Sequence, residues 1–251
     1  CACFHVDCGM IQTSTGQHIK KGFLLGLFFM GLGCQHLFAY IEGGYRVGLW
    51  LNAGKLNNII REYNIQNPWQ VFKPVHVGLG GRVVFGAQSK SVAFFAGLKW
   101  LRNSQTVSGT DPSTQSANYK RLTVHYGGIV FGMHTTLESP VSVGLELNAF
   151  NYYVLRLQES NTPNVKAATS NELVNDVNPN LSFFVRLALQ KGVAGITLIP
   201  AIDLPVLHGR NDISDLRKPL KLYTPSSDTY VMRGYNISLT LSILLAKKRD
   251  W

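Results

Sequence analysis

Cysteine is confined to one end of this sequence. Cys1, Cys3, Cys8 and Cys34 all precede residue 35, and none follows. Cys1-x-Cys3 with Cys8 has no His or Cys partner at zinc-finger spacing, so a structural metal site is not indicated. Charge is also scarce. Charged residues make up 15% of the 251, against about 25% in an ordinary soluble domain. The balance is basic, with 24 Lys and Arg against 14 Asp and Glu. Yet no basic run exceeds Lys247-Lys248-Arg249, so the compact patch that nucleic acid requires is missing. After residue 39 no stretch approaches the ~18 apolar residues of a spanning helix. What is plentiful is glycine (24 residues) and aromatics (11%), a mixture that suits many strands and tight turns.

Lys20-Lys21 precedes an apolar stretch, Gly22 to Leu32, too short to span a bilayer and of the right length for a secretory signal. Cleavage after Ala39 is expected, although Leu37 fits the small-x-small pattern poorly. A second reading, cleavage before an acylated Cys34, places Leu32 one position too close to the cysteine. Residues 1 to about 18 read as upstream translated sequence. The expected organisation is an upstream segment and signal over 1–39 and one domain over 40–251. That domain is free of cysteine, which suits an oxidising compartment.

The domain alternates apolar and polar residues with a period of two, the mark of strands. The spacing predicts strands over Tyr45–Ala53, Val75–Phe85, Val92–Trp100, Arg121–Thr135, Val141–Leu155, Leu181–Leu189, Gly195–Leu207 and a closing strand to Leu245. In the last, Ile237, Leu239, Leu241, Ile243 and Leu245 oppose Asn236, Ser238, Thr240 and Ser242. In the fourth, Leu122, Val124, Tyr126 and Val130 form the apolar face. Leu56, Ile59, Ile60 and Tyr63 fall at helical spacing within Lys55–Asn64, and packing on the rim is their expected use. Arg102–Asn118, Gln158–Pro179 and His208–Thr229 read as long polar loops. Connections then alternate long and short around an even number of strands. That predicts an all-β fold: an eight-stranded antiparallel up-and-down transmembrane β-barrel with short periplasmic turns and long external loops. Tyr45, Phe85 and Phe94 are expected in a girdle on the turn side, and Trp100, Tyr152, Tyr153, Phe183 and Tyr230 on the loop side. Pro200 and Pro205 predict a bulge or fraying in the seventh strand.

The signal at Lys20–Ala39, the glycine-rich strands Gly78–Phe85 and Ser142–Asn148, and the closing strand carry a resemblance. Over residues 40–251 the chain resembles small Gram-negative outer-membrane barrels, most of all the PorT-like and OmpX-like proteins of the Bacteroidota. The resemblance implies an outer-membrane location with both termini periplasmic. It implies contact with outer-membrane lipid or lipopolysaccharide, and a protein partner at the external loops. Members of the family typically end on an aromatic residue, and Trp251 is one, though Ala246–Asp250 separates it from the strand.

If apolar faces meet lipid, the polar faces place Arg46, Arg82, Lys99, Glu146, Arg186 and Asp203 in the lumen. Glu146 and Arg186 are expected at matched height, with Arg82 completing their layer. An eight-stranded barrel has room inside for little but side chains, so the first expectation is a plug of paired charges. A narrow pore is the alternative. An enzyme at the rim would draw on His76, His125 or His208, but no Ser/His/Asp set has a diagnostic spacing. A soluble exported ligand-binding barrel would need an apolar lumen. Gly78 to Gly81 precede no helix and are not a dinucleotide fingerprint; they make room beside aromatics. Asp212 and Asp215 lack the calcium-loop pattern. No catalytic, metal or cofactor residue is assigned.

Overall fold

The computed structural model describes residues 38–51, 53–89, 91–135, 139–165, 170–177, 179–191, 193–206, 220, 222 and 235–246. The strands are β1 (Phe38–Trp50), β2 (Val77–Gln88), β3 (Val92–Thr110), β4 (Ala117–Thr135), β5 (Val141–Ser160), β6 (Ser170–Val177), β7 (Asn180–Lys191), β8 (Ala194–Pro205) and β9 (Asn236–Ala246), with one helix, α1 (Gly54–Gln66). All pairings are antiparallel. Sequence neighbours pair in turn, β4 pairs with β5, β5 with β7, and β9 returns to β1. Eight strands therefore close a transmembrane-type up-and-down barrel, and β6 pairs with the upper part of the same β5 edge that β7 pairs with below, prolonging the β7 position beyond the ring.

The pairing fixes the barrel's shear. Tyr40 lies opposite Gly86, Gly86 opposite Phe95, Phe95 opposite Gly132, and Gly132 opposite Glu146. Glu146 then leads to Ser182, Ser182 to Asp203, Asp203 to Asn236, and Asn236 to Trp50. One circuit climbs from Tyr40 to Trp50, ten residues along β1. Strands so staggered tilt by about 35–45° and leave an interior just wide enough for side chains.

The wall is inside out relative to a soluble protein. On β9, Asn236, Ser238, Thr240 and Ser242 are buried, while Ile237, Leu239, Leu241, Ile243 and Leu245 are exposed. Leu79, Leu98, Val143, Leu187 and Ile196 continue the exposed apolar belt. A patch of this extent is foreign to a soluble surface and normal for one facing hydrocarbon. Both tryptophans of the wall lie over glycines. A Cβ at Gly78 would come 2.6 Å from the Trp50 ring inside, and one at Gly81 would come 2.6 Å from the Trp100 ring outside.

Beyond the belt the structure departs from the sequence reading. Most of the expected loop Arg102–Asn118 is strand: β3 and β4 pair as far as Thr110 and Ala117. Its outward face carries Arg102, Ser104, Thr106 and Ser108, so it has no apolar contrast to mark it as a strand. Part of the expected loop Gln158–Pro179 is β6. On β4, Leu122, Val124, Tyr126 and Val130 are buried inside, opposite to the expected lipid-facing side: the first three because above the belt the outer face meets water, and Val130 as part of the turn-side cluster inside the lumen. A register shift at Ile129/Val130 leaves Ala149 as the extra residue of β5 and reverses its phase. Glu146 and Asn148 face inward below it, and Asn151, Tyr153, Leu155 and Leu157 above. Tyr153 is thereby removed from the expected girdle, and Tyr45 lies midway along β1 instead of at its turn end. Tyr230 and Trp251 lie outside the described residues. Pro200 causes no bulge. It points outward opposite Leu239 with the register intact, and only the ladder to β7 lapses beside it. β8 ends at Pro205. Apart from Phe38 and Ala39, which already belong to β1, the expected export segment lies outside the described residues.

Helix α1 covers the inner face of this extension. Leu56, Ile59, Ile60 and Tyr63 bury against Leu122, Val124, Leu155 and Leu157 in a core that also holds Trp50, Leu101, Tyr126 and Tyr153. Two asparagines of the helix grip the chain that returns to β2. Asn57 donates to the Val75 carbonyl (3.1 Å) and accepts from its N–H (2.7 Å). Asn64 does the same with Phe72 (2.8 and 2.9 Å). Gln105 of β3 likewise exchanges two bonds with Lys73. Leu56→Ala should cost about 2–5 kcal/mol, the range for a buried leucine. Leu241→Arg should cost about 2–4 kcal/mol in a bilayer. Urea unfolding of the refolded protein in lipid vesicles measures both.

Candidate functional site: the charged lumen and its cap

Alternation delivers the polar residues of the lower strands to the lumen, and the ring's shear decides which of them meet. Seven side chains from six strands join in one chain of alternating charge. Arg186 Nε donates to Glu42 Oε2 (2.8 Å), and Arg82 Nη1 donates to Glu42 Oε1 (3.0 Å). Arg82 also holds Glu146 Oε2 through Nε and Nη2, both at 3.2 Å. Lys99 Nζ bridges Glu146 Oε1 (2.6 Å) and Asp203 Oδ1 (3.1 Å). Arg46 Nη2 closes the chain on Asp203 Oδ2 (2.7 Å). All seven are buried.

Asp203 is the most heavily bonded member. Besides the two cations it accepts from Ser182 Oγ (2.5 Å), Asn236 Nδ2 (2.8 Å) and Tyr126 OH (3.4 Å). Asn180 in turn donates to Tyr126 OH. Arg46 reaches Asn236 and Ser238 as well. Such saturation is what a charge needs when its neighbours replace water. Arg82 also lies over the rings of Phe95 (4.9 Å) and Phe184 (5.8 Å), where its charge meets their negative faces.

The six residues singled out in the sequence, Arg46, Arg82, Lys99, Glu146, Arg186 and Asp203, are all placed inside. Their connections differ in one respect. Glu146 and Arg186 do not pair: Glu146 lies opposite Ser182, and Arg186 lies opposite Ser142 four residues away. The residue that joins Arg186 to the rest is Glu42, which the sequence reading left outside its first strand. The alternation of Tyr40, Glu42, Gly44 and Arg46 against Ile41, Tyr45 and Val47 is the signal that extends β1 back to include it. Phe184, an apolar residue on the polar face of β7, faces inward and packs with Tyr40, Phe95 and Ile199 on the turn side.

Above the charge chain sits the α1 core. Tyr126 belongs to both, its ring in the apolar cluster and its hydroxyl toward Asp203. On the outer wall, just beyond Trp100 and Tyr152, Arg102, Thr123, His125, Val154 and Arg156 line a dent of about 200 Å³. Burial, with Arg102 and Arg156 nearby, holds the His125 imidazole below its ordinary pKa. His76 is exposed before β2, and His208, Asp212 and Asp215 lie outside the described residues. Among the described residues no three His, Asp or Glu side chains converge as metal ligands.

Neither a family model nor a curated protein matches this chain. Solved structures do. The attachment invasion locus protein Ail of Yersinia pestis, crystallised with the heparin analogue sucrose octasulfate, is 6% identical with a TM-score of 0.44, over 84% of this chain and 98% of that one. Neisserial surface protein A is 8% identical with a TM-score of 0.34, over 83% and 96%. The translocator domain of the autotransporter NalP from Neisseria meningitidis is 13% identical with a TM-score of 0.28, over 92% and 97%. The barrel assignment rests on the closed strand pairing itself.

Asp203→Ala strips two cations of a shared partner and should destabilise by about 3–5 kcal/mol, the cost of breaking a buried pair. Denaturant unfolding in micelles measures it, and a change below about 1 kcal/mol would mean the chain does not hold the barrel together.

Proposed function

We propose that this protein is an outer-membrane barrel, not an enzyme, whose lumen is closed by paired charge and whose working surface is the rigid extension beyond the membrane. One observation carries the reading: the belt of exposed Leu, Ile, Val and Phe encloses seven buried, mutually bonded charges. Only a hydrocarbon solvent makes that distribution favourable on both sides of the wall. The connections from β2 to β3 and from β7 to β8 then face the periplasm, together with the start of β1 and the end of β9. This orientation and the PorT-like or OmpX-like kinship follow the resemblance of the sequence.

The extension supports an interaction role. β3, β4, β5 and β6 continue past the belt as a polar sheet backed by α1, a pre-formed surface that needs little ordering on binding. At its foot, the outward Arg102, His125 and Arg156 lie just above Trp100 and Tyr152, where lipid headgroups begin, and Arg121 lies higher on β4. Cations there suit the phosphates of lipopolysaccharide.

Two measurements test the reading. The protein should require detergent for extraction and should change gel mobility on heating; soluble fractionation without a mobility shift contradicts it. In planar bilayers it should give no stepwise conductance, whereas steady channels altered in ion selectivity by Glu146→Gln would establish a pore. Arg102→Glu with Arg156→Glu should weaken binding to lipid A vesicles at least about tenfold while leaving the heat-shifted mobility intact, since each surface cation contributes about 1 kcal/mol near an anionic membrane.

A further inference from the structure

The alternating chain begins and ends on a cation. Its four cations, Arg46, Arg82, Lys99 and Arg186, face three carboxylates, Glu42, Glu146 and Asp203. Among the described residues Arg46 keeps one nitrogen, Nη1, without a partner, and Arg186 keeps two. Arg186 spends only Nε on Glu42, and no acceptor among the described residues meets its Nη1 or Nη2, although the residue is 1% exposed. Three buried hydroxyls share this condition: Ser142, Thr197 and Ser242 have no hydrogen-bond partner among the described residues.

Register brings these four groups together. Ser142 of β5 lies directly opposite Arg186 of β7, and Thr197 of β8 lies directly opposite Ser242 of β9. Between the pairs, Thr197 faces Ala188, whose small side chain is two residues from Arg186. Because the pairing climbs ten residues in one circuit of eight strands, equal height drifts by about one residue per strand. On that scale Ser142, Arg186, Thr197 and Ser242 fall in one layer, on four successive strands of the ring. Glu42 lies at the same level on the next strand, both its oxygens held by Arg186 and Arg82.

We propose that this layer is a buried binding site for a halide ion, chloride in the cell. The donors are of the right kind: a guanidinium edge that can only donate, and three hydroxyls free to rotate their hydrogens inward. The charge is of the right sign, since one anion balances four cations against three carboxylates, and an unbalanced charge in this interior is costly. The size follows from the barrel, since an interior just wide enough for side chains favours a monatomic anion. The site depends on the strand register and not on where the barrel resides.

The test uses the refolded full barrel in micelles. Its unfolding midpoint in urea is followed as chloride replaces gluconate at constant ionic strength. The midpoint should rise with chloride and with bromide. In a variant combining Ser142→Ala, Thr197→Val and Ser242→Ala, which keeps the Arg186–Glu42 pair, the halide concentration needed for half the effect should increase at least about tenfold. A midpoint indifferent to halide, or equally sensitive in the variant, overturns the proposal. Crystals grown in bromide give a readout that needs no variant. An anomalous peak within hydrogen-bond distance of Arg186 Nη1 or Nη2 supports the site. Water at that position, with no peak, overturns it.

Discussion

The structure depends on the bond set of Asp203. This carboxylate accepts from Arg46, Lys99, Ser182, Asn236 and Tyr126, and so ties β8 to β1, β3, β7, β9 and β4 across the lumen. Backbone ladders join only neighbouring strands. The charge chain joins strands that the ladders cannot, including β2 to β5 through Arg82 and Glu146. In a barrel whose outside is apolar, hydrophobic burial fixes the interior only at the turn-side cluster around Tyr40, Phe95 and Phe184, and cannot do so in the charged layer. Directional bonds between buried ions take over that role, and their geometric demands select one register among the slips a period-two pattern allows.

Shear makes this chain possible. Glu42 and Arg46 both point inward from β1, yet one meets Arg186 of β7 and the other Asp203 of β8. That follows from a ring in which each circuit returns ten residues higher, so residues distant in pairing become close in space. Above the belt the rule for the core reverses. There water covers the outer wall, and α1 supplies an ordinary apolar core within the same strands. Tyr126, with its ring in one regime and its hydroxyl in the other, marks the boundary.

Much of this was legible in the residues. The closing strand's alternation gave both faces of β9 and its two partners, and the polar positions of the other strands placed six charges inside. What was not legible has physical causes. Glu42 was hidden because the apparent end of the export signal overlaps the start of β1. The reversal at Ala149 was hidden because a bulge leaves no mark in an alternating pattern beyond a change of phase, so Tyr153 read as a girdle residue. The extension of β3 and β4 was hidden because Asn103 and Gln105 are polar on the inner face as Arg102, Ser104, Thr106 and Ser108 are on the outer, leaving Val107 as the single apolar mark. The inward face of Leu122 and Val124 needed knowledge of the helix that covers them.

The wall is inverted, with lipid outside and bonded charge within. The most direct measurement is a spin-label scan along β9, residue by residue from Asn236 to Leu245, in the protein reconstituted from Tyr40 onward, which contains no native cysteine. Labels at Ile237, Leu239, Leu241, Ile243 and Leu245 should collide freely with oxygen dissolved in the bilayer, and those at the intervening residues should not. A uniform profile, or one with accessibility to a water-soluble relaxant at the apolar positions, would contradict it.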